Sequence, residues 1–88
     1  MTCKYRPYYE YKPTRENFMD DEMSEEDVAR NIELLVDDLT EHFSAIGGMV
    51  EFSSEKVISI TTDLTEEECD TAVTGYLNNL KLFAKKLP

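Results

Sequence analysis

The sequence predicts an α+β fold in which two amphipathic helices pack on one face of a small antiparallel β-hairpin sheet, in the order arm, helix, strand, strand, helix. Three observations carry that expectation. Apolar side chains recur every three or four positions over residues 28 to 46 and again over 69 to 87, the period of a half-buried helix. Residues 49 to 62 alternate apolar with polar side chains, the period of a half-buried strand. With 88 residues, 41% of them hydrophobic, the chain has material for one modest core and none for a second.

Residues 1 to 15 read as an extended arm and 16 to 88 as one acidic domain. In an extended arm Tyr5, Tyr9 and Tyr11 fall on one side, with Lys4, Arg6, Tyr8, Glu10 and Lys12 on the other. Pro7 and Pro13 lack a backbone donor, which restricts the arm to an edge strand or a polyproline-like segment. The tyrosines then either cover this domain's own sheet or dock on another chain.

A helix is predicted over about 24 to 46. Ser24 stands as its N-cap, Asp27 takes the capping-box position, and Met23 can staple against Val28. Its core stripe is Val28, Ile32, Leu35, Val36, Leu39, Phe43 and Ile46, and Gly47 is placed as a left-handed C-cap. At about 100° per residue the opposite ridge is Glu26, Arg30, Glu33, Asp37 and Glu41, with Asp27 and Asp38 beside it and Leu34 pointing into it.

The hairpin over about 49 to 62 must place Val50 and Phe52 on the face that holds Ile58 and Ile60. That requires an odd loop, and Ser54 to Lys56 satisfies it without a glycine. A second helix is predicted over about 65 to 86, where Leu64, Thr65, Glu68 and Cys69 repeat the opening device of the first. Its core stripe is Cys69, Ala72, Val73, Tyr76, Leu77, Leu80, Phe83, Ala84 and Leu87, with Gly75 and Leu82 outward.

Charge is segregated along the chain. The first fifteen residues hold four cations and one acid, and residues 71 to 88 hold three lysines and no acid. Residues 16 to 70 hold eighteen acids against Arg30 and Lys56, which brings the whole to −10. Such a body repels nucleic acid and anionic lipid at long range and attracts basic protein surfaces. No segment is apolar enough to span a membrane, and the amino terminus lacks the apolar run of a signal peptide. Cys3 and Cys69 make no disulfide framework, so a reducing, cytoplasmic setting is expected.

No catalytic motif is legible. Cys3, His42 and Cys69 lack metal-ligand spacing, Asp20 to Glu22 lacks the alternation and glycine of a calcium loop, and no phosphate-binding glycine loop occurs. Neither a metal nor a cofactor is expected, nor an enzymatic role; lone His42 reads as a boundary residue.

The function expected is that of a small acidic protein-binding inhibitor. Its ridge of Glu26, Glu33, Asp37, Asp38 and Glu41, with Leu34 and the tyrosines Tyr5, Tyr9 and Tyr11, would take the nucleic-acid-binding surface of a basic partner. Carboxylates four apart repeat every ~6 Å along a helix, sparser than duplex phosphates but comparable to one strand, which spaces its charges about 3.4 Å apart. By charge and size alone this is like the DNA mimics of phages and mobile elements. The alternative is a structural or assembly module, a homo-oligomer (a homodimer included) or subunit adaptor joined through the tyrosine arm, Leu34 or Leu82.

Overall fold

Strand formation begins at the second residue. Thr2–Tyr8 is β1, followed by α1 (Glu25–Ser44), β2 (Met49–Phe52), β3 (Ile58–Thr61), α2 (Glu66–Asn79) and β4 (Phe83–Leu87). The computed structural model describes residues 1 to 11 and 22 to 88. The four strands form one antiparallel sheet in the order β2-β3-β1-β4. The α+β class therefore stands, with four strands in place of a lone hairpin. A β-α-β-β-α-β chain with its first strand between the third and the fourth has the ferredoxin-like, split βαβ topology.

The arm is not at an edge. β1 pairs with β3 from Thr2 to Tyr5 and with β4 from Lys4 to Tyr8, so it is an inner strand. Pro7 is tolerated because it lies beyond the last pair with β3, where β1 has a neighbour on one side only. Cys3, Tyr5 and Pro7 alternate inward beneath the helices, while Thr2, Lys4, Arg6 and Tyr8 face outward. Tyr9 lies past the strand and packs half-buried against the core.

α1 has the expected N-cap, with Ser24 Oγ accepting the Asp27 N–H at 3.1 Å, while the Asp27 carboxylate meets Arg30 instead of closing a capping box. Leu35, Leu39 and Phe43 are fully buried and Val28, Ile32 and Val36 partly so. The helix stops in a Schellman turn: the Gly48 N–H donates to Phe43 O at 2.7 Å and the Gly47 N–H to Ser44 O at 3.2 Å, with Gly47 at φ +82°. That turn carries Ile46 away from the core, and it is exposed, contrary to its place in the expected stripe. At Gly48 a Cβ would come within 2.9 Å of Thr61 O, so no other residue lets the turn approach β3 so closely.

The hairpin has the expected register, with Val50 opposite Ile60 and Phe52 opposite Ile58. Ser53 N–H donates to Val57 O at 2.9 Å, which closes the three-residue loop Ser54 to Lys56. Lys56 takes the left-handed conformation at φ +64° that a glycine would otherwise supply.

α2 opens with a full capping box: Thr65 Oγ1 accepts the Glu68 N–H, and Glu68 Oε1 accepts the Thr65 N–H, both at 3.2 Å. It does not run to residue 86. A second Schellman turn ends it after Asn79, with the Leu82 N–H donating to Leu77 O at 3.0 Å and Lys81 at φ +58°. The chain then reverses into β4. Leu82, expected outward, is buried, with the turn's end packed in the core like Leu77. Phe83, expected in the core, is exposed. Gly75 has no atom within 4 Å of its would-be Cβ, so no close helix contact forms there.

Both helices cover the face of the sheet that carries Cys3, Tyr5, Ile58 and Ile60, and these join Leu35, Leu39, Phe43, Cys69, Val73, Leu77 and Leu82 in one core. Asn31 Nδ2 donates to Leu80 O at 3.0 Å and Tyr76 Oη meets His42 Nδ1 at 3.1 Å, tying α1 to α2. No helix among the described residues is long and apolar enough to cross a membrane.

Candidate docking surface on the first helix

α1 turns its acids out because its apolar stripe fixes its rotation over the sheet. Glu26, Glu33, Asp37 and Glu41 are exposed along the side opposite Leu35 and Leu39, and Asp38 is half-buried on the flank that faces α2 with Asn31 and His42. Leu34, 43% exposed, sits beside the ridge. Arg30 does not neutralise it: its guanidinium lies 3.4 Å from Asp27 at the helix start, an exposed pair of the kind that contributes little. Among the described residues no ion pair or hydrogen bond engages the carboxylates of Glu26, Glu33, Asp37, Asp38 or Glu41. Lys4 and Arg6 point from the other face of the sheet and cannot fold across them. Lys12 and Arg15 lie outside the described residues, as do Asp20 and Asp21.

The tyrosines divide. Tyr5 is a core residue, 4% exposed, and its ring is not available to a partner. Tyr9 Oη accepts the Met23 N–H at 3.1 Å and so ties the strand end to the start of α1. Tyr11 is 38% exposed. The structure thus gathers Glu26, Glu33, Asp37, Glu41 and Leu34 on one surface, turns Asp38 toward the α2 flank, and separates Tyr5 from them.

A second charged constellation escapes sequence reasoning. Asp70 Oδ1 accepts from Tyr5 Oη at 2.5 Å and Asp70 Oδ2 from Lys86 Nζ at 2.8 Å, and Lys86 also pairs with Glu66. Glu66, Asp70 and Lys86 line an open groove of about 720 Å³ along α2 and β4, with Thr65 and Thr74. The Lys86 ammonium, then the Tyr5 hydroxyl, hold the Asp70 carboxyl below its ordinary range. Asp70 and Glu66 raise the Lys86 pKa, while burial, then the bond to Asp70, raises that of Tyr5. Each shift carries the group's pKa further from neutral pH, whereas proton transfer needs a group poised near the working pH. The constellation closes the sheet edge onto α2. Glu66 and Asp70 stand four apart on α2 and were legible as a pair, but Lys86 was not legible as their partner while the chain's end read as helix.

Among the described residues no group of three or more His, Cys, Asp and Glu is arranged to hold a metal ion. Cys3 and Cys69 are both buried free thiols, and burial pushes the Cys69 thiol up, which disfavours the reactive thiolate. Comparison of the chain with protein-family models returns no match, and comparison with curated proteins and with solved structures returns no significant match.

Proposed function

We propose that the protein is a small acidic inhibitor whose α1 ridge occupies the basic, nucleic-acid-binding surface of a partner protein. One observation carries this reading: Glu26, Glu33, Asp37 and Glu41 are exposed in a row, Arg30 on the same ridge is turned to Asp27, and Lys4 and Arg6 lie on the other face of the sheet. Acids four apart on a helix repel by about 0.2–0.5 kcal/mol per pair. Solubility alone is served by mixed signs, whereas a one-sign field steers an oppositely charged partner.

The test is capture of host proteins on the tagged chain at low and at moderate salt. The expected catch is a nucleic-acid-binding protein that duplex DNA displaces, held at low salt and released as salt screens the contact. The triple variant Glu33→Lys, Asp37→Lys, Glu41→Lys should keep the wild-type circular dichroism and lose the catch. A catch indifferent both to salt and to that variant would end this reading.

A further inference from the structure

The outward face of the sheet has the opposite character to α1. Arg6 of β1 stands directly across from Lys85 of β4, and Lys4 is two residues along on the same face. Like charges directly opposed destabilise a sheet. The register sets Lys4 between Ser59 and Leu87, and among the paired strand residues the acid on this face, Glu51, lies one strand further out on β2. Among the described residues Lys4, Arg6 and Lys85 have no ion pair or hydrogen bond. Beyond them Tyr8 and Phe83, 43% and 38% exposed, stack with ring centroids 5.6 Å apart.

We infer that this face receives the α1 ridge of a second copy of the chain, so that copies associate head to tail. The chemistry matches on both counts. Along β1 the cations Lys4 and Arg6 are ~6.7 Å apart, and along α1 the carboxylates of Glu33, Asp37 and Glu41 repeat every ~6 Å. The ridge also offers exposed Leu34, and the sheet offers exposed Tyr8. The helix layer, about 10–12 Å thick, is thicker than the ≈ 8 Å screening length at physiological salt. The sheet face of one copy therefore meets the ridge of the next without feeling the full −10. The two surfaces differ, which makes the contact heterologous. It competes for the ridge assigned above to a basic partner but does not depend on that partner's existence.

Sedimentation over a range of protein concentrations tests it. The wild type should gain mass with concentration at low salt and revert to monomer as salt rises. The sheet variant Lys4→Glu, Arg6→Glu, Lys85→Glu and the ridge variant Glu33→Lys, Asp37→Lys, Glu41→Lys should each stay monomeric alone and associate when mixed, because each then presents the sign the other lost. If the reversed sheet variant does not fold, Lys4→Gln, Arg6→Gln, Lys85→Gln should weaken wild-type association at least tenfold. A wild type monomeric throughout, or a mixture that stays monomeric, overturns the inference. So does binding of single-stranded oligothymidylate that the sheet variant abolishes, since it would give this face to nucleic acid. The sheet variant keeps the ridge, so it should still capture a basic partner, and the two proposals fail separately.

Discussion

Two lysines hold backbone conformations that side chains disfavour, and each marks a place where the chain changes direction. Lys56 at φ +64° closes the hairpin, and Lys81 at φ +58° ends α2. A left-handed residue with a Cβ costs roughly 1–2 kcal/mol, of which glycine's extra unfolded-state entropy, about 0.5–1 kcal/mol, offsets part. Lys56→Gly should therefore stabilise the domain by about 0.5–1 kcal/mol, read as a higher urea midpoint at unchanged slope; a lower midpoint would show that the Lys56 side chain contributes something the loop geometry does not reveal. The same residues explain why one turn was legible and the other was not. The hairpin needed an odd loop whatever occupied it, so its register followed from Val50, Phe52, Ile58 and Ile60. At Lys81 nothing announced a stop, and Leu77, Leu80, Phe83, Ala84 and Leu87 continue a helical spacing. Only the tertiary partner, β1, decides that Phe83–Leu87 is a strand.

At the scale of elements, both helix starts and the acidic ridge were readable because caps and helical phase are local. The inner position of β1 was not, since Pro7 argued for an edge and its neighbours lie more than fifty residues away in sequence. β4 is now the edge, and its inward Lys86 is drawn under α2 by Glu66 and Asp70. An inward charge discourages a further strand from pairing there. The link is pH-dependent with a defined sign. Asp70 has its pKa lowered on folding, so its stabilising effect is present above its ordinary value of 3.8 and is lost as pH falls through the lower folded value. Lys86 has its pKa raised, so its share is present below its ordinary 10.5 and is lost as pH rises through the higher folded value. Asp70→Asn should flatten the fall in urea stability below about pH 4. An unchanged acid slope would mean that other carboxylates set it.

At the scale of the molecule, the described residues show a polarity across the sheet, acidic on the helix side and basic with aromatics on the other. The acidic side does not serve stability. Glu33→Gln, Asp37→Asn, Glu41→Gln removes two like-charge pairs and should raise stability by about 0.4–1 kcal/mol at low salt, with the gain shrinking as salt is added. Calorimetry at two salt concentrations measures it, and a loss of stability would mean that these carboxylates have partners within the fold. The pairing of β1 with β4 carries a further consequence, for synthesis. β1 is completed only by residues 83 to 87, so during synthesis it waits with one flank uncovered until those residues are made. Joining ends some eighty residues apart costs roughly 4 kcal/mol of chain entropy. A nascent strand left open for that interval invites pairing with neighbouring chains, and Lys4 and Arg6, projecting from it, are the kind of charges that keep it solitary until its own partner arrives.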